Sequence, residues 1–163
     1  MKSFEIEDTN EFMKQLFKLG RYDSFYLYEV RIKSGFDYYI NGRINKEYFD
    51  SVDDMLIERI AEKSEDEYVC FGRMKDTILS YIGDNRLPLG MKLILMFNSE
   101  NVEKLIEMHN LKYDKSQVTG LMFNVYLEKG KICVTTGTSL NVFTMDKSLE
   151  HVWDETVEKY YIK

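Results

Sequence analysis

The sequence predicts an α+β fold in which two antiparallel β-meanders are covered by amphipathic helices. An order of short strand, amphipathic helix and three turn-linked strands runs through the first half and again through the second, which reads as an internal βαβββ duplication. The 163 residues are 44% hydrophobic and 14% aromatic, enough to build one core and one domain over 1–163. Twelve Tyr, ten Phe and nine Met against a single Pro mark a chain that buries surface readily, which excludes a disordered one.

Phe4 to Ile6 has the form of a short strand, and Asp8 with Glu11 three residues on opens a helix in the manner of a capping box. Phe12, Leu16 and Leu19 recur on one side of that helix, Lys14, Lys18 and Arg21 fall on another, and Gly20 ends it. From Ser24 to Lys33 the set Tyr26, Tyr28, Val30 and Ile32 alternates with residues that become charged at Glu29 and Arg31, a strand leaving the core. Ser34-Gly35 and Asn41-Gly42 stand as two-residue turns, so three antiparallel strands are expected in succession.

Helical spacing predicts helices over 51–63, with Val52, Met55, Leu56 and Ile60 inward, and over 71–82, with Phe71, Met74, Ile78 and Tyr81 inward. Residues 64–67 form an acidic connector, and the loop from Gly83 to Gly90, which holds Pro88, marks the midpoint of the duplication. Met91 to Phe97 is an apolar run of the length of a buried central strand, followed by a helix capped by Ser99 with Val102, Leu105 and Ile106 inward. Strands at 121–128, 131–136 and 140–144 make the second meander, turning first at Lys129-Gly130. Asp146 caps a last helix with Leu149, Val152, Trp153, Thr156 and Tyr160 inward.

A formal charge of −6 and a pI near 5.1 disfavour broad attraction to phosphate backbones or anionic lipid, leaving only a local basic stripe for such partners. The acidic start of the chain lacks the apolar region of a signal peptide and no uncharged run reaches membrane-spanning length, so a cytoplasmic protein is expected. Cys70 and Cys133 sit far apart in apolar surroundings and read as two buried free thiols.

No nucleophile elbow and no glycine-rich dinucleotide fingerprint is present, and the carboxylates cluster at helix starts and connectors. Catalysis is therefore unsupported, and no metal or cofactor is expected from two histidines and two cysteines without ligand spacing. The run Thr135-Thr136-Gly137-Thr138-Ser139 could offer donors to a phosphate or carboxylate, but it lacks a lysine and a helix start, and its glycine fits a bulge or turn. His151 has Glu155 one turn away, which a solvated helix face explains. Thr136, Thr138, Ser139 and His151 are thus the residues of a small-molecule pocket, if the chain has one. Lys14, Lys18, Arg21, Arg73 and Lys75 are the cations that would meet a nucleic-acid backbone if their two helices share a surface.

Two resemblances add to this reading. The stretch from Gly137 to Asp154, Gly-Thr-Ser-Leu-Asn-Val-Phe-Thr-Met-Asp-Lys-Ser-Leu-Glu-His-Val-Trp-Asp, resembles an uncharacterised bacterial family, a domain of unknown function, over most of the chain. It implies no activity. The opening Met1-Lys2-Ser3-Phe4-Glu5-Ile6 before a helix, the hairpin from Leu127 to Gly137 and the order of elements are similar to one domain of a sliding DNA clamp. That likeness implies helices 9–19 and 71–82 on one sheet face, aiming the five cations at a duplex, with self-association to complete a ring. The chain departs from a clamp in having one such domain and extra helices at 99–109 and at its C-terminus. The expected function is a noncatalytic binding or scaffold domain associated with nucleic acid. A small-molecule-binding protein or enzyme is the alternative, and a protein–protein module, suggested by the tyrosines, a third.

Overall fold

Alternation of apolar and polar residues gives each strand one inward face, and the strands satisfy their backbone groups by pairing into a single six-stranded antiparallel sheet of order β1-β6-β5-β4-β2-β3. The strands are β1 (Ser3–Ile6), β2 (Tyr26–Lys33), β3 (Asp37–Asn41), β4 (Gly90–Met96), β5 (Val118–Glu128) and β6 (Lys131–Leu140). This computed structural model describes residues 1–49, 66–83 and 86–163. The expected helix at 51–63, with Val52, Met55, Leu56 and Ile60, lies outside the described residues.

The helices are α1 (Thr9–Phe17), α2 (Lys46–Phe49), α3 (Phe71–Ile82), α4 (Ser99–Met108) and α5 (Ser148–Val157). Asp8 caps α1 by accepting from the Glu11 backbone N–H, and Asn98, not Ser99, caps α4 by accepting from the Asn101 N–H. Phe12, Leu16 and Phe17 of α1 and Phe71, Ile78 and Ile82 of α3 are buried in one core, with Phe17 and Phe71 ring centroids 5.8 Å apart. The two helices therefore share one side of the sheet.

Trp153 of α5 is wholly buried there as well and donates from Nε1 to the Met122 carbonyl at 3.0 Å. A wide π-helical turn, Glu158–Ile162, follows α5 and advances the inward face by one residue. Tyr161, in place of the expected Tyr160, consequently packs against Phe25 at 5.1 Å, while Tyr160 is exposed.

Among the described residues each half supplies the order βαββ, one strand fewer than expected. After Asn41, Gly42 continues the chain past β2 instead of turning: its N–H donates to Tyr28 O at 3.0 Å and its carbonyl accepts from the Val69 N–H at 2.9 Å. Arg43 makes only an isolated bridge to Tyr68, and helix α2 follows. In the second half residues 141–145 run as a bend and coil beyond β6. The connection from β2 to β3 has three residues, Ser34 to Phe36, where two were expected.

The halves interleave rather than standing side by side, because β1 pairs with β6 of the second half and β4 of the second half pairs with β2 of the first. The turn at Lys129-Gly130 is as expected, both residues having positive φ (50° and 74°) as a two-residue hairpin of right-handed twist requires.

Candidate functional site

Helices α1, α3, α4 and α5 bury their apolar faces in one core against the sheet, and the pleat sends every second side chain of each strand to the other side. A bulge in β2 between Leu27 and Glu29 resets the alternation, so Leu27, Val30 and Ile32 face the core and Glu29, Arg31 and Lys33 face outward. Register then lines up outward residues in rows across the sheet.

One row runs Glu5, Cys133, Tyr126, Lys92, Arg31, Tyr39 through all six strands. The next toward the strand ends runs Lys131, Glu128, Gly90, Lys33, Asp37, and Gly90 leaves a gap in its middle. Over that gap opens a groove of about 740 Å³ whose lining includes Tyr39, Tyr126 and four cations, Arg31, Lys33, Lys92 and Lys129, against two carboxylates, Asp37 and Glu128. The groove is locally basic on a chain of net charge −6.

The aromatic residues of the row are presented rather than buried, Tyr126 being 37% exposed and Tyr39 53% exposed. The Arg31 guanidinium lies over the Tyr39 ring at 4.5 Å, and the Tyr39 hydroxyl donates to Glu29 at 3.1 Å. Lys92 is 3.8 Å from the same carboxylate and keeps 42% of its side chain exposed. Flat π faces with cations between them are the chemistry that stacks bases and meets phosphates.

At the opposite end of the strands, about 20 Å away at 3.4 Å per residue, a second cavity of about 410 Å³ lies between β2, β4 and the start of α4. Its wall holds the buried Asp66 carboxylate, which accepts from the Tyr26 hydroxyl at 2.7 Å, with Ser99 Oγ 3.2 Å from that hydroxyl. Burial pushes the Tyr26 phenol up to about 12, the Asp66 bond adding to the rise and the Ser99 bond opposing it. The phenol is neutral and donating at physiological pH.

The cations read from the sequence are divided. Lys14 and Lys18 are exposed on α1 and, with Arg86, line a groove of about 150 Å³ beside the end of α3. Arg21 donates to Gln15 Oε1 at 2.9 Å and to the carbonyl of Tyr160, which holds the C-terminal turn. Lys75 pairs with Asp23 at 2.8 Å, and Arg73 is exposed in a different groove, beside Arg43 and Tyr48.

The hydroxyl set is divided too. Thr136 is wholly buried, accepts from the Lys2 N–H at 2.8 Å and donates to the Asp154 carboxylate of α5. Thr138 Oγ1 is buried with no hydrogen-bond partner among the described residues. Ser139 pairs with Gly120 and is half-buried, while His151 stands exposed on the outer side of α5. No hydrogen bond or ion pair among the described residues joins His151 to Thr136, Thr138 or Ser139. His109 is exposed as the residue that ends α4. Cys70 is buried and Cys133 half-buried, neither in a disulfide, with Cys133 Sγ 3.1 Å from Ser3 Oγ.

Sequence reasoning missed the outward row because β4 reads as a continuous apolar run, the pattern of a strand buried on both faces. Lys92, the second residue of that run, is the signal that one side is open.

Among the described residues no group of three or more His, Cys, Asp or Glu is placed to hold a metal ion, and no helix is long and apolar enough to cross a membrane. The chain belongs to a family of unknown function, DUF5721, whose profile matches residues 15–163. Comparison with curated proteins and with solved structures gave no match.

Proposed function

We propose that this protein is a noncatalytic binding domain whose open sheet face takes a single-stranded nucleic acid. The observation that carries this reading is the outward row Tyr126, Lys92, Arg31 and Tyr39 on four neighbouring strands, above a groove with four cations. Bases stack on tyrosine rings and on the guanidinium plane whatever their sequence, and the cations track the phosphates between them. A duplex hides its bases and would meet only the cations, so the face favours a single strand.

The reading moves the nucleic-acid surface from the helices to the other side of the sheet, and it needs no ring of subunits. Arg21 and Lys75 already have protein partners, which leaves the helical stripe too few exposed cations to hold a duplex. Two cysteines outside any disulfide agree with a cytoplasmic location, where nucleic acid is at hand.

Fluorescence anisotropy with labelled 12-nucleotide single strands and the matching duplex tests the proposal. Micromolar binding of single strands, about 10⁻⁶ to 10⁻⁴ M, is expected, with weaker binding of the duplex. Tyr126→Ala should weaken it by about 5- to 150-fold, the range of one lost stacking contact. Lys14→Glu with Lys18→Glu on α1 should leave affinity within about twofold, because these cations lie on the opposite side of the sheet. Undiminished affinity in Tyr126→Ala, or a large loss in the α1 double variant, would overturn the assignment.

A further inference from the structure

Glu128 is the group that the basic groove does not explain. It stands exposed at the end of β5, directly opposite Lys131 on β6, yet its side chain forms no hydrogen bond or ion pair among the described residues. The other carboxylate in the lining, Asp37, lies three strands away on β3. A negative charge here opposes phosphate, so it lowers affinity unless it meets donors of its own. The four neighbouring cations repel a metal ion or an ammonium group, which leaves neutral N–H groups as its partners.

The gap left by Gly90 on β4 lies beside this carboxylate, between Glu128 on one side and Lys33 on the other. The backbone does not demand glycine there. Gly90 has no positive φ, and a Cβ on it would meet Leu127 O at 3.6 Å and Lys33 Cβ at 4.0 Å, which is ordinary contact. A strand glycine that the fold does not require leaves room for a ligand to come close. Tyr126 precedes Glu128 by two residues on the same face, about 7 Å along the strand. A base stacked on the Tyr126 ring reaches over the gap with one edge toward Glu128.

We infer that this end of the groove is a base pocket that selects guanine at one position of the strand, an inference that rests on the single-strand reading above. Glu128 accepts from the guanine N1–H and N2 amino group together, one oxygen to each. Guanine alone carries two adjacent N–H donors on its pairing edge, the pattern that fits both oxygens of a carboxylate. Adenine sets its N1 acceptor and cytosine its N3 acceptor against the same oxygens, and thymine offers a single N–H between two carbonyls. The cations remain with the phosphates.

Fluorescence anisotropy on the full chain tests this with thymidine strands of about 12 nucleotides that differ at one central base: guanine, adenine, cytosine or hypoxanthine, which lacks the N2 amino group. Guanine should tighten binding at least about fivefold over adenine and cytosine, the low end for a bidentate pair, and hypoxanthine should forfeit most of that gain. Glu128→Gln replaces one acceptor by a donor and should cut the guanine preference below about twofold without weakening the all-thymidine strand. Gly90→Val suits a β-strand, so it should keep or raise the melting temperature while filling the gap and removing the preference. Should either variant fail to fold, the comparison of bases on the unaltered protein decides alone. Micromolar binding with all bases equal, or a guanine preference that survives in Glu128→Gln, would overturn the inference and leave the single-strand reading standing. No binding by any strand would overturn both.

Discussion

Thr136 and Thr138 lie two residues apart on β6, facing the same side, yet replacing each by valine should change stability in opposite directions. Thr136 Oγ1 accepts from the Lys2 N–H at 2.8 Å and donates to Asp154, so it ties β1 and α5 to the middle of β6. Valine keeps the shape and removes both bonds. Each polar group left without its partner costs about 1–3 kcal/mol; Lys2 lies at an exposed edge where water recovers much of its share, and Asp154 keeps the chain's amino terminus at 3.5 Å. The net loss should be about 2 kcal/mol, which in a chain of this size lowers Tm by about 4–8 °C.

Thr138 carries the opposite sign. Its hydroxyl oxygen is buried with no partner among the described residues, so valine removes a desolvated polar atom and loses no bond. Thr138→Val should be neutral or raise Tm by up to about 4 °C, equivalent to about 1 kcal/mol. Thermal and urea unfolding followed by circular dichroism reads both variants, with an unchanged m-value confirming that only stability moved. A fall of less than about 1 °C for Thr136→Val, or equal falls for both variants, would refute the assignment of Thr136 as a structural tie.

Other changes probe the frame and its pH dependence. Gly42→Ala would place a Cβ 1.8 Å from the Leu27 carbonyl oxygen and 2.7 Å from its carbon, both backbone atoms, so β2 must shift. We expect a loss of about 3 kcal/mol or more in urea unfolding, and a near-neutral result would contradict the placement of this crossing. Acid should loosen the ends of α5. The Ser148 backbone N–H holds the Asp146 carboxyl below its usual range, and the Lys2 ammonium does the same for Glu158. A depressed carboxyl stabilises the fold above its unfolded pKa and loses that contribution as pH falls through the folded one. Hydrogen exchange should therefore show constant protection of Ser148 to His151 from about pH 8 to 5, then a loss below about pH 4; protection persisting to about pH 2.5 would contradict it.

The α+β class and most elements were legible because their signals are local. Apolar spacing in 9–17, 71–82 and 99–108 placed three helices on the sheet, and Lys129-Gly130 fixed the β5–β6 hairpin through turn geometry alone. What was not legible depends on contacts distant in sequence. Asn41-Gly42 has the composition of a turn, but Gly42 is required for close passage beside Leu27, which only the assembled chain shows. The strand order escaped a reading that kept each half separate, since nothing in β1 says that its partner lies at 132–135.

The site followed the same division. Residue type found the hydroxyl run and the cations of α1 and α3 but not their surroundings, so the threonine bound up with Asp154 looked no different from a ligand-facing one. The outward row depends on the β2 bulge, which sends Arg31 to the open face, and on cross-strand register that sets Tyr126, Lys92 and Tyr39 beside it.

The salt dependence of single-strand binding, measured for the unaltered protein and for Arg31→Glu with Lys92→Glu, tests the central claim most directly. If Arg31, Lys33, Lys92 and Lys129 each meet a phosphate, log K should fall against log salt with slope about −2.8, a loss of about 50-fold between 50 and 200 mM. The double variant should bind weakly with a slope no steeper than about −1.4. A steep slope retained in that variant, or binding indifferent to salt in the unaltered protein, would contradict the account.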